Sequence, residues 1–355
     1  MKRLLQTQNL VVLLAGLSLG VLGVMLAVWG NPQNSGICVS CFLENTAGAL
    51  GLHDNPRMQY LRPELIGFVL GASLAAMAGR EFRSRGGSAP MLRLMSGIFL
   101  IVGCAVFIGC PIKMFLRLFA GDLTTLAGVA GLVAGVWLGL KGLAAGVHFG
   151  GSARQQGGAG LWVPLAFVLL LVFVLWPPDF LLHSTRGSAA QSAPVLVALA
   201  VGLLLGALAQ RSRFCVTGSI RDALLMGLRA PLIWGFCAFI LGGLVTSVVS
   251  GQFHPGYYGQ PGAHHDLLWA FLGMLLVGMI SVLIGGCPFR QLIKSGEGDA
   301  DAGLVVIGML IGAGLVQSWQ IAGTTAGVGL YGQLAVMAGL AFVLLNMLLY
   351  RERSA

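Results

Sequence analysis

Charge is scarce in this chain. Lys and Arg number 21 and Asp and Glu 12 among 355 residues, 9% in all, against about a quarter in soluble globular domains. That scarcity excludes a soluble enzyme and a disordered chain. With long apolar runs recurring from Leu10 to Tyr350, it also excludes a nucleic-acid binder, despite a net charge of +9. No G-x-x-x-x-G-K-[ST] sequence occurs, so no ATP-driven motor is expected in this chain. Cys38-x-x-Cys41 could be read as a redox pair but has no βαβ context, a zinc site lacks further ligands at suitable spacing, and no metal or cofactor is expected. The seven cysteines (Cys38, Cys41, Cys104, Cys110, Cys215, Cys237 and Cys287) are odd in number and lie in or beside apolar segments. That is unlike a secreted disulfide framework.

Apolar sequence is abundant instead: 57% of residues are hydrophobic and the mean hydropathy is +0.87. A spanning helix takes about 20 apolar residues. Candidate spans are 10–29, 63–80, 91–109, 123–147, 161–182, 194–210, 231–250, 267–286, 302–320 and 332–350. The expected fold class is an all-α polytopic membrane protein of about ten transmembrane helices. The run after Met1-Lys2-Arg3 is longer than a signal-peptide core and lacks a small-residue cleavage site, so it is expected to stay as the first helix.

Basic residues orient the spans. Arg80, Arg83, Arg85 and Arg93, then Arg154, then Arg211, Arg213, Arg221 and Arg229, and finally Arg351 and Arg353 fall on one side. The connection 251–266 holds no Lys or Arg and falls on the other, with Arg57, Arg62 and Arg186 as exceptions. The expected arrangement has both termini cytoplasmic.

Four segments are too short or too polar to cross and too apolar to be ordinary loops: 35–52, 109–121, 213–228 and 286–298. Each carries a cysteine near its start. Cys38 and Cys215 are 177 residues apart, as are Cys110 and Cys287. At the same offset, Cys110-Pro111-x-Lys113 becomes Cys287-Pro288-x-Arg290, Arg117 becomes Lys294, and Gly121-Asp122 becomes Gly298-Asp299. The chain therefore divides into two repeats, 1–177 and 178–355, forming one integral membrane domain. Five spans per repeat make the repeats inverted, each with two short re-entrant segments, a recurring plan of transporters. Irregular backbone at membrane depth survives only inside protein or along a wet cavity, so the plan implies a permeation path.

Pro111 and Pro288 suit the first position of a helix. Cys110 and Cys287 then become N-caps beside free N–H groups, an end that attracts anions. Lys113 with Arg117, and Arg290 with Lys294, are four apart and share a helix face. Together with Cys38 and Cys215 these residues predict a positive, sulfur-lined path suited to a small soft anion. For one basic pair alone, snorkelling to the headgroups is the simpler account; its repetition at identical spacing favours the path. Asp122 and Asp299 are expected to cap the helices that follow.

Cys104 and Cys237 are expected to be buried space-fillers. Cys41 aligns with Gly218 and stands outside the repeat. His254, His264 and His265 are expected to be solvated in an outer loop. The glycine pairs Gly16/Gly20, Gly131/Gly135, Gly202/Gly206 and Gly308/Gly312 have the GxxxG spacing that lets helices approach closely. The thiols leave a choice open. Protonated, they are weak S–H donors to an anion; ionised, they would repel it, and covalent sulfur or selenium transfer becomes the rival mechanism.

The segments NSGICVSCF, IGCPIKMFLRLFAGD, QRSRFCVTGSIRD and GGCPFRQLIKSGEGD resemble those of the YeeE/YedE family of sulfur-transport membrane proteins. The resemblance is greatest to its YedE-type selenium-transporter branch, over nearly the whole chain. It implies a non-enzymatic inner-membrane importer of hourglass shape that takes up thiosulfate or a related sulfur or selenium anion. It also implies that Cys38, Cys110 and Cys287, with Cys215 in a fourth segment, pass the anion along through S–H hydrogen bonds. A separate small cytoplasmic sulfur-carrier protein is the implied partner, beside the lipid bilayer. The alternatives are a channel of the same fold and a membrane-embedded thiol-based sulfur or selenium transferase.

Overall fold

The computed structural model describes residues 2–350, with side chains from Asn9 onward except at Gly157. Met1, Arg351 and Arg353, and the side chains of Lys2 and Arg3, lie outside the described residues. In lipid, only a helix or a closed barrel satisfies every backbone group, and the apolar runs here form helices. In chain order they are α1 (Lys2–Val28), α2 (Val39–Ala49), α3 (Pro63–Ala78), α4 (Pro90–Phe107), α5 (Pro111–Phe119), α6 (Thr125–Ala144) and α7 (Trp162–Leu175). The second half supplies α8 (Val195–Ser212), α9 (Val216–Met226), α10 (Pro231–Val249), α11 (Leu267–Ile284), α12 (Pro288–Gly296), α13 (Ala300–Ser318) and α14 (Leu330–Leu349). Five of these helices begin at a proline, whose fixed φ and missing N–H suit a first turn. The only named sheet among the described residues pairs Arg85–Gly86 with Ala153–Arg154, antiparallel.

Among the described residues, eight helices are long and apolar enough to cross a membrane, and α3 and α7 are shorter apolar helices. The chain is a polytopic helical membrane protein. The span expected over 161–182 is shorter than its apolar run, because Pro177-Pro178 cannot continue a helix and α7 stops at Leu175.

Helix boundaries recur along the chain. The short helices α2 and α9 start and end 177 residues apart, and so do α4 and α11, and α5 and α12. Where α4 and α11 end, the backbone turns left-handed, at Ile108 (φ 62°) and Gly285 (φ 81°). A β-branched residue in that region is strained; glycine is not.

The most extensive helix contacts join the two halves of the chain: α1 with α10, α3 with α8, α4 with α13, and α6 with α11. Their seams are lined with glycine. A methyl group at Gly16 would strike the Gly235 carbonyl, and one at Gly135 the Leu275 carbonyl. Backbones this close maximise the van der Waals contact on which helices in lipid depend. The opposite helix faces carry exposed leucines, such as Leu165 and Leu169 on α7 and Leu344 and Leu348 on α14. Cys237 lies on such a face of α10 and is exposed, so the expectation that it fills buried space is corrected.

Candidate functional site: two basic chambers and four cysteine N-caps

Each of the four short helices opens on a cysteine. Cys38, Cys110, Cys215 and Cys287 are the N-caps of α2, α5, α9 and α12, all in extended backbone. Pro111 and Pro288 occupy the first turns of α5 and α12. The sulfur caps backbone N–H groups in two cases: Cys41 N donates to Cys38 Sγ at 3.3 Å, and Gly218 N donates to Cys215 Sγ at 3.4 Å. Each of these two thiols also has a hydroxyl neighbour two residues on, Ser40 at 3.3 Å and Thr217 at 3.2 Å. Two of the thiols meet. Cys215 Sγ is 3.4 Å from Cys287 Sγ.

Two cavities flank these groups. The first, of about 800 Å³, is lined by Cys41, Glu44, Asn45, Arg62, Lys113 and Gln317 among others. The second, of about 390 Å³, is lined by Arg213, Cys215, Arg221, Asp222, Arg290 and Lys294 among others. They open at opposite ends of the bundle. Arg62, the N-cap of α3, lines the first, whereas Glu81, just past the α3 C-terminus, pairs with Arg213 of the second at 3.0 Å. Gln317 at the end of α13 lines the first, whereas Asp299 at its start pairs with Lys294 at 3.5 Å. Cys38, Cys110 and Cys287 are buried to within 1% and line neither cavity.

The basic pairs separate in the fold. Lys113 reaches the first chamber, but Arg117 does not. Arg117 is 1% exposed, and each of its three side-chain nitrogens donates: Nε to Asp122 Oδ2 (2.8 Å), one amino group to the Phe107 carbonyl (3.1 Å), and the other to Thr124 Oγ1 (3.0 Å). Its counterpart Lys294 pairs likewise with Asp299 but also lines the second chamber. Arg290 pairs with Glu297 at 3.1 Å, and Arg221 with Asp222 at 2.7 Å.

Lys113 has no such acid. The position corresponding to Glu297, 177 residues earlier, is Ala120. Lys113 is 4% exposed, and its only described polar partner is Cys41 Sγ at 3.7 Å. A buried ammonium without a counter-ion is costly, and an anion in the chamber would relieve that cost.

Asp299 caps α13 as expected, accepting from Ala302 N at 3.0 Å. Asp122 instead accepts from Thr124 N (2.9 Å) and Thr124 Oγ1 (2.6 Å) ahead of α6 and holds Arg117. His264 is not solvated, contrary to expectation. It is 3% exposed, Nε2 donates to the Val106 carbonyl at 2.8 Å, and Nδ1 accepts from Asp266 N at 3.2 Å. This outer-loop imidazole has its pKa lowered, by burial above all. His254 and His265 are exposed.

Cys41, Glu44, Asn45, Arg62 and Gln317 are chamber residues that the repeat pattern does not reveal. Cys41 breaks the repeat, and Gln317 arrives from a helix distant in sequence. The one available signal was Glu44, an acid inside an apolar cysteine segment.

Residues 211–352 match the model of a protein family described as Sulphur transport. The matched stretch contains Cys215, Cys287, Arg290 and Lys294. No curated protein matches the chain.

Proposed function

We propose that this protein imports a small sulfur- or selenium-containing anion, thiosulfate-like or a selenium species, along a path from the first chamber through the buried cysteines to the second. The observation that carries this reading is Lys113: a sealed ammonium facing a cavity, with a thiol beside it and, among the described residues, no acid within ion-pair distance. A sulfur-bearing anion answers both neighbours, its charge meeting the ammonium and its polarisable sulfur the thiol. The match of residues 211–352 to a sulphur-transport family supports the same substrate class. In this reading, the halves 1–177 and 178–355 are inverted repeats, and Cys38, Cys110, Cys215 and Cys287 hand the anion on by S–H donation. Pro111 and Pro288 hold the two Cys-Pro turns. Arg290 and Lys294 receive the anion, and Arg117 locks the first half-helix in place.

The protein sits in the inner membrane with both termini cytoplasmic, so the second chamber faces the cytoplasm. There the anion passes to a separate small sulfur-carrier protein or to a consuming reaction. Cells carrying Cys110→Ser or Cys287→Ser are expected to retain uptake of labelled thiosulfate or selenite, and the Ala variants to lose it. Normal uptake by both Ala variants would make the cysteines mere filling, as in a channel. Loss in the Ser variants with a covalent adduct on the wild-type protein would instead favour the transferase reading.

A further inference from the structure

Glu44 occupies a place where an anion path should have no carboxylate. It lies on α2, is 5% exposed and lines the first chamber together with Lys113. At the corresponding position of the second half, 177 residues on, stands Arg221. Among the described residues no ion pair involves Glu44. Its one side-chain partner is neutral: Gln317 Nε2 donates to Glu44 Oε2. Gln317 is fixed in that orientation because its Oε1 accepts from Asn55 Nδ2 at 2.7 Å.

The groups around Glu44 include one cation that no acid pairs, Lys113, which shares the chamber but lies outside ion-pair distance of it. On α2 itself are Cys38 and Cys41, and from α4 comes Cys104. The Cys-Pro turn of α5 supplies Cys110 and Lys113. From α13 comes only the amide of Gln317. At the start of α3, Arg62 donates to Asn45, Asn31 and the Ser188 carbonyl, while Glu64 is held by Asn31. His53 bonds the Glu44 main-chain carbonyl, not the carboxyl. On α12, Arg290 and Lys294 pair with Glu297 and Asp299.

An ionised carboxylate and an anion in one chamber walled by protein repel each other far more strongly than in water. A protonated carboxyl reverses the interaction, since its O–H donates a charge-assisted hydrogen bond. On the basis of the anion seat proposed above, we infer that the first chamber accepts its anion only when Glu44 carries a proton. Lys113 then supplies the charge and the Glu44 O–H a directed donor. The proton comes from water on the first-chamber side, and no other bond is made or broken. Glu44 is thus a specificity-determining residue that links anion entry to proton concentration.

The test uses full-length purified protein with thiosulfate and selenate, which both remain dianions between about pH 6 and 9.5. Wild-type affinity is expected to be level on the acid side of the Glu44 titration. On the alkaline side it should steepen towards a roughly tenfold loss per pH unit. Glu44→Gln keeps an acceptor for Gln317 and replaces the O–H by an N–H, so it is expected to bind as acid wild-type protein does, without the alkaline loss. A second measurement needs no variant. Thiosulfate added to lightly buffered wild-type protein at alkaline pH should withdraw about one proton per site from the medium.

Wild-type binding level across the range, or binding without proton uptake at alkaline pH, would overturn the role of Glu44 and leave the anion seat standing. So would an alkaline loss that persists in Glu44→Gln and disappears in Cys41→Ser. Failure of both anions to bind either protein at any pH would remove the seat and this inference with it.

Discussion

Lys113 and Arg117 differ in what surrounds their charge. Arg117 has a carboxylate, a carbonyl and a hydroxyl within hydrogen-bond distance, whereas Lys113 has one thiol. Their substitutions therefore read out differently. Arg117→Met strands a buried Asp122 and is expected to lower folding stability by about 3–5 kcal/mol, seen as a fall in thermal midpoint in detergent. Lys113→Met removes a charge with no acid to strand. It is expected to raise the midpoint of the anion-free protein, since a costly buried charge is gone, and to weaken thiosulfate binding by about ten- to a hundredfold, the worth of a hydrogen bond to a charged group.

His264 adds a pH dependence. Its folded pKa is lowered, so the fold favours the neutral ring, whose Nδ1 must stay free to accept from Asp266 N. Protonation as pH falls through the unfolded value, about 6.5, therefore costs stability, and the cost grows until the folded form also titrates. Thermal midpoints measured from about pH 8 down to 5 should fall less in His264→Gln than in wild type.

At the scale of elements, the half-helices do most to arrange the site, and their making was legible. Cysteine, proline and a basic residue at fixed spacing specify an N-cap, a first turn and an inward face. The recurrence of that pattern placed α5 and α12 in the sequence, and α2 and α9 followed from Cys38 and Cys215. What escaped were the departures from repetition. Ala120 in place of Glu297 leaves Lys113 unpaired, and a periodicity argument weights shared positions over such a difference. Cys41 has Gly218 as its counterpart and so carries no repeat signal, although it lines the chamber. The burial of His264 depends on Val106, a residue 158 positions away, and no local pattern reports it. The glycine seams, by contrast, were readable as spacing. Gly135→Leu would force α6 from the Leu275 backbone and is expected to cost about 1–3 kcal/mol or more. Gly151→Leu, with open space around the site, should leave the thermal midpoint unchanged.

For the whole molecule, two chambers at opposite ends imply two-sided access. In variants retaining only Cys41 or only Cys215, a small membrane-impermeant thiol reagent should label the first from one face of a sealed vesicle and the second from the other. Labelling of both from one face would contradict the chamber arrangement.

The pairing of α1 with α10, α3 with α8, α4 with α13 and α6 with α11 also bears on how the chain is made. Every large seam joins a helix from the first half to one synthesised later. When the ribosome has delivered α7, the glycine-lined faces of α1, α3, α4 and α6 still lack their partners, and the half-helices lack the walls that shield their backbone from lipid. Each seam can form only once its later partner has emerged, α3 with α8 first and α4 with α13 last. The bundle is complete only when α13 has joined α4, so its closure comes late in synthesis.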